Sequence, residues 1–183
     1  MDKTVIAVLG YDRPGIIAIV SRVLFEQGCN IEDVSQTILQ TEFVGTFIAK
    51  KPDAVSDESL LAALQERLKA LGLLVVLKPM GKGGEWNPPA SEPFVITTVG
   101  PDRPGLVAGI TEVLAHHRVN ITNLKAVFRG GRNPEDNVMC YEVDVPLADD
   151  HHSFRTALYE RARELGLEVS LQHRDIFEQI HRI

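Results

Sequence analysis

Cysteine is nearly missing from this chain: Cys29 and Cys140 are the only two in 183 residues. Two thiols do not make the bridge framework on which small secreted domains depend. One disulfide could form, but a reducing compartment is the simpler inference. No stretch approaches the ~20 consecutive apolar residues of a membrane span. Met1-Asp2-Lys3 leads straight into an apolar segment, without the basic region and apolar stretch of a secretion signal. A cytoplasmic location and no membrane partner are therefore expected. Runs of lysine and arginine are absent too, and the net charge is −6. Neutralising phosphates takes clustered cations, so direct contact with nucleic acid is not expected.

Catalytic constellations are equally scarce. The chemically able residues are His116, His117, His151, His152, His173, His181, Cys29 and Cys140. The pair His151-His152 follows two aspartates, Asp149 and Asp150. Neighbouring residues point apart on a strand and lie about 100° apart on a helix, and no third ligand stands at metal-site spacing. Cys29 sits at a helix exit rather than a helix start, so nothing there lowers its pKa. No nucleophile, base and orienting group are legible as a set. The expectation is a protein without catalytic residues, metal or cofactor.

What the chain does contain, it contains twice. Gly10-Tyr11-Asp12-Arg13-Pro14-Gly15 returns as Gly100-Pro101-Asp102-Arg103-Pro104-Gly105, at a spacing of 90. Asn30-Ile31 returns as Asn120-Ile121 at the same spacing. Two separated markers with one offset indicate a duplicated domain. Apolar content of 44% and charged content of 24% suit globular domains, and half of the chain is long enough to bury its own core.

Each copy reads as strand, tight turn, helix. Val5 to Leu9 and Phe94 to Val99 are apolar runs ahead of the repeated motif. Proline pre-sets a helical φ and gives up an N–H that the first turn cannot use, which predicts a helix from about Pro14 to Gln27. Arg13, ahead of proline, becomes the last non-helical residue. Asp12 lies where a carboxylate meets the positive end of the helix dipole, and Gly15 clears a side chain from the first turn. Free amides at such an entrance suit a carboxylate or another anion. Ile17, Val20 and Leu24, with Ile16 and Val23 beside them, give the helix its apolar face, repeated as Val107, Ile110 and Leu114. Gly28 closes the helix. Strands over 30–40 and 42–51 follow, with Thr41-Glu42 as the turn. A helix carrying Leu60, Leu64 and Leu68 is capped by Ser56 or Asp57, and a strand over 73–78 completes the copy.

The order is β-α-β-β-α-β in each copy, the ferredoxin-like arrangement of the α+β class, with antiparallel sheets and helices on one face. The expected domains are residues 1–79 and 93–173, joined by a Gly- and Pro-rich linker over 80–92. From Gly72 to Gly166 the spacing is 94, so the second copy gains four residues, most simply in a longer hairpin at 130–136. A tail over 174–183 carries Ile176, Phe177, Ile180 and Ile183 on one helical face. It suits either packing on its own domain or binding a partner.

This pattern resembles the ACT domain, a small-molecule-sensing module. The likeness rests on strand, Asp-Arg-Pro-Gly, amphipathic helix, Gly-Cys-Asn-Ile, hairpin, helix and strand, and it covers both copies. The tandem arrangement, Gly28-Cys29-Asn30-Ile31-Glu32-Asp33 and Ala115-His116-His117-Arg118-Val119-Asn120-Ile121 are similar to the glycine cleavage system transcriptional repressor family. The same motif occurs in ACT modules attached to formyltetrahydrofolate deformylase and to uridylyltransferases, but no catalytic domain accompanies it here.

The resemblance implies a non-enzymatic regulatory protein with two modules paired side by side, within one chain or in a homodimer. A small amino acid, glycine or serine, would sit between the turn of one module and the second strand of the next. Carried over residue by residue, the turn positions are Asp12, Arg13, Pro14 and Gly15, with Asp102, Arg103, Pro104 and Gly105. The facing positions are Asn30 and Ile31, with Asn120 and Ile121. Amides at the helix entrance would take the ligand carboxylate, and an aspartate or an asparagine oxygen its ammonium. Both asparagines equally suit a turn into the second strand. The implied protein partner is a transcription regulator; a metabolic enzyme regulated by this chain, or a scaffold with a vestigial site, are the alternatives. Two departures separate the copies: Pro101 replaces Tyr11, and Arg118 replaces Gly28.

Overall fold

The computed structural model describes residues 2–80, 88–127, 136–148 and 150–181, and the chain divides into two units, residues 1–85 and 86–183. The linker expected over 80–92 and the hairpin expected over 130–136 fall largely outside the described residues.

The first unit runs β1 (Lys3–Tyr11), α1 (Ile16–Glu26), β2 (Asn30–Leu39), β3 (Glu42–Lys50), α2 (Asp57–Leu68), a 3₁₀ turn (Lys69–Leu71) and β4 (Leu74–Pro79). Its sheet has the order β2-β3-β1-β4, with every neighbour antiparallel. The second unit repeats it: β5 (Ser91–Pro101), α3 (Leu106–His116), β6 (Asn120–Val127), β7 (Asp136–Pro146), α4 (His151–Glu164) and β8 (Glu168–His173), in the order β6-β7-β5-β8. These are two ferredoxin-like βαββαβ units.

One face of each sheet carries the core. Thr4, Ile6 and Val8 of β1 point inward, against Ile16, Val20, Val23 and Leu24 of α1 and Leu60, Leu64 and Leu68 of α2. The apolar run of β1 is thus a central strand packed by helices on one face only, with Leu9, Leu74 and Val76 exposed on the other. In the second unit, Ile96, Tyr141, Val143 and Val145 meet Leu106, Ile110, Leu114, Phe154, Leu158 and Ala162. The buried stripe of each first helix starts one residue earlier than the leading periodicity suggests. Ile16 and Leu106 are buried, while Ile17 is half-buried and Val107 exposed.

Several local expectations need correction. α1 begins at Ile16 rather than Pro14, because Gly15 is the N-cap in the left-handed region, at φ 99°. Gly105 does the same at φ 94°. A Cβ at either glycine would meet nothing within 4 Å, so backbone conformation, not crowding, demands glycine there. No side chain caps either helix, so Asp12 is not an N-cap. The β2–β3 turn is Gln40-Thr41, with Gln40 at φ 57° and Leu39 facing Glu42, one residue ahead of the expected turn.

Both first helices end in the same hydrogen-bonded motif. Gly28 N–H donates to Phe25 O and Cys29 N–H to Leu24 O, while Arg118 and Val119 donate to Ala115 O and Leu114 O. Ser56 caps α2 by accepting from Ser59 N–H at 3.1 Å. The tail forms α5 (Arg174–His181), which continues directly from β8 and contacts β5 and β8, leaving Ile176 exposed.

Candidate functional site

Starting each helix at a left-handed glycine has a direct consequence. The first intrahelical bond of α1 runs from Ile19 N–H to Gly15 O (3.0 Å), which leaves the amides of Ile16, Ile17 and Ala18 ahead of it. These residues line a cavity of about 460 Å³ together with Asp12, Arg13, Pro14, Gly15, Gln36 and Phe43. The turn is anchored from behind, because Asp12 N–H donates to Thr41 O at 2.8 Å, at the tip of the β2–β3 hairpin. Among the described residues, neither the Asp12 carboxylate nor the Arg13 guanidinium has a hydrogen-bond or ion-pair partner.

The floor of this cavity is built by a glycine elsewhere. Phe43 lies opposite Gly10, and Gly45 lies two residues further along β3. A Cβ on Gly45 would stand 2.6 Å from Phe43 Cζ, so its absence lets the ring lie flat along the strand. Gln36 of β2 pairs with that same Gly45. Neither Gln36 nor Phe43 was among the residues expected from the motif. The hairpin register that brings them here could be counted back from the turn, but only once the turn itself is placed correctly.

The second unit repeats the backbone and uses the side chains differently. Met139 occupies the position of Gly45 and Asn137 that of Phe43, as the pairs Thr98–Met139 and Gly100–Asn137 show. Met139 is buried in the core. Asn137 Nδ2 donates to Asp102 Oδ1 at 3.1 Å. Arg103 Nη2 donates to Leu165 O, the C-cap carbonyl of α4, at 2.6 Å. Asp102 and Arg103 are thus both engaged within their own unit.

Asn30 and Asn120 lie at the far end of their sheets. Asn30 pairs with Lys50, whose other neighbour is Lys3 at the start of β1, whereas Asp12 follows the end of β1. Asn120 pairs with Asp144 in the same way. Both asparagines are exposed, and Ile31 and Ile121 pack against the cores. A register irregularity follows at once in both copies, between Ile31 and Asp33 and between Ile121 and Asn123. Within a unit, the structure does not bring Asn30 or Ile31 to the Asp12 turn, nor Asn120 or Ile121 to the Asp102 turn.

The remaining reactive groups are scattered. Burial pushes the Cys29 thiol up, with Lys51 pulling it partly back. Burial also raises Cys140, and Glu142 adds to the rise. Among the described residues no three His, Cys, Asp or Glu side chains group as a metal site, and no helix is long and apolar enough to cross a membrane.

Comparison with known proteins extends this picture. A family model described as the ACT domain matches residues 3–78 and again 92–172. The UPF0237 protein of Methanopyrus kandleri is 38% identical over 91 residues, which cover 49% of this chain and 96% of that protein. It is a relative of single-copy length. Two solved structures share the fold at low identity. One is a protein of unknown function from Galdieria sulphuraria, at 23% identity and TM-score 0.76, covering 94% of this chain and 98% of that one. The other is described as a proposed glycine cleavage system transcriptional repressor, at 20% identity and TM-score 0.64, covering 93% and 96%. With the module matched once in each unit, over strands, helices and repeated turn alike, the chain belongs to the ACT-domain family and carries two copies in tandem.

Proposed function

We propose that this chain is a non-enzymatic regulatory protein that senses a small amino acid, glycine or serine, at the entrance of α1 and signals to a protein partner, a transcription regulator. The observation that carries the reading is the pair Asp12 and Arg13, both without partners among the described residues, beside three leading helix amides on one cavity. An α-amino acid presents a carboxylate and an ammonium close together. The amides of Ile16, Ile17 and Ala18 and the Arg13 guanidinium supply donors for the carboxylate. Asp12 supplies the charged acceptor for the ammonium, and the Gln36 amide can donate or accept beside it.

A cavity of about 460 Å³ admits much more than glycine. Discrimination by size therefore rests on a further wall, and a neighbouring module's Asn30 and Ile31, or Asn120 and Ile121, is the candidate. In this reading the modules span residues 1–79 and 93–173, and a ligand bridging two of them biases whichever arrangement binds it better. The second-copy turn, with Asp102 and Arg103 already engaged, is read as structural, together with Pro104 and Gly105. The exposed apolar face of the first sheet, with Leu9, Leu74 and Val76, is available to the protein partner.

Titration calorimetry against the small amino acids tests this. The expected result is one bound ligand per chain, Asp12→Ala weakening it at least tenfold, and Asp102→Ala leaving it unchanged. Asn30→Ala then separates a site confined to one module, which it spares, from a shared one, which it weakens. Two ligands per chain, or full binding by Asp12→Ala, would overturn the assignment.

A further inference from the structure

All six histidines of this chain lie in the second unit. Two of them stand at the exit of α3, on the side of a cavity of about 310 Å³ lined by His116, His117, Arg118, Pro146 and Ala148. The His116 and His117 rings meet edge to face, with centroids 5.3 Å apart, and His117 also stacks at a tilt on Phe154 at 5.5 Å, which fixes its ring. Arg118 is exposed, and among the described residues its guanidinium has no hydrogen-bond or ion-pair partner.

Arg118 is also one of two non-glycine residues at positive φ among the described residues, at 56°, where the first copy places Gly28 at 70°. The helix-end motif needs the left-handed conformation, and an arginine there carries a backbone cost that Gly28 does not. The first copy has nothing comparable at this exit. Its equivalent residues are Glu26, Gln27 and Gly28, and Glu26 is paired with Arg67 at 3.0 Å.

We infer that the cleft formed by His116, His117 and Arg118 is a binding site for a phosphate group, free or on a small ester. The guanidinium presents a planar fork of donors that matches phosphate oxygens, and the His116 imidazole adds a ring N–H, with His117 packed beside it. Two opposing effects are muted locally. The negative end of the α3 dipole lies here, but the carbonyls of Val113, Leu114 and Ala115 already accept from the N–H groups of His117, Val119 and Arg118. Among the described residues, no carboxylate lines the cleft itself. The cavity volume fits a phosphate with a short organic tail rather than a nucleotide.

The test is thermal unfolding and calorimetry of the full chain with inorganic phosphate and with glycerol 3-phosphate, each against chloride at equal ionic strength. Phosphate, its ester or both should raise the midpoint beyond chloride, and Arg118→Gly should weaken binding at least tenfold. Because glycine suits this backbone, Arg118→Gly should itself fold as well as the parent or better, so lost binding cannot be ascribed to unfolding. The His116 and His117 ring signals in NMR should move on titration, and the amino acid response at α1 should persist in Arg118→Gly. Stabilisation no greater than chloride gives, or undiminished binding by Arg118→Gly, would overturn the site. Response to the ester alone supports it and names the ester as ligand.

Discussion

The two helix entrances share a motif, a backbone and a left-handed glycine, and their side chains do opposite things. In the first copy Asp12 and Arg13 stand at a cavity without partners among the described residues. In the second, Asp102 holds Asn137 and Arg103 holds the end of α4. The cause lies outside the motif. Where α1 has Ile19, α3 has Gly109, and a Cβ there would stand 2.8 Å from Leu165 Cδ1 and 3.2 Å from Arg161 Nε. That missing side chain lets the end of α4 close on α3, which brings the Leu165 carbonyl within reach of Arg103. α2 instead finishes in the 3₁₀ turn Lys69–Leu71, and Ile19 fills the gap. The pair Gly45 and Phe43, against Met139 and Asn137, makes the second difference. A repeated motif therefore reports a repeated backbone, and its chemistry is set by residues that touch it from other strands and helices.

Breaking the contrast at Gly109 should have the largest effect. Gly109→Ile gives the second copy the residue of the first and overpacks the α3–α4 contact. It should cost about 3 kcal/mol in chemical denaturation, at the upper end for core overpacking. A cost below about 1 kcal/mol would remove Gly109 as the reason for the closed second entrance.

The shared backbone is tested next. Gly15→Ala and Gly105→Ala should each cost about 1–2 kcal/mol, because a Cβ is disfavoured at these φ values and no neighbour obstructs it. Unequal costs would show that one entrance is held more tightly, sharpening the comparison.

The thiols give the smallest contrast. Both are raised by burial, Cys29 with relief from Lys51 and Cys140 with a further rise from Glu142 and relief from Lys125. A raised thiol pKa means less thiolate at pH 8, so both should alkylate more slowly than free cysteine. The deficit against free cysteine should narrow as pH rises past both values, and mass spectrometry of peptides from a timed iodoacetamide reaction reads it directly.

Much of the fold was legible because it depends on local rules. Asp-Arg-Pro-Gly marks a strand-to-helix turn, Gly28 and Gly72 mark helix ends, and Ser56 marks a cap. The helix start was misplaced by two residues, because proline signals a first helical position whether or not a glycine follows. Here the left-handed Gly15 delays the helix, and that delay is what leaves Ile17 and Ala18 on the cavity. Gln36 and Phe43 were invisible for another reason. They reach the turn through strand register, which hinges on Gln40-Thr41, and nothing in that dipeptide announces a left-handed residue. Arg118 showed as a substitution, but its cleft with Pro146 needs the β7 end in place.

Among the described residues, each core cluster is drawn from the strands and helices of its own copy. After duplication, then, neither copy's folding held the other's chemistry hostage. One entrance could drift into a latch while its twin stayed open, and a helix exit could gain an arginine.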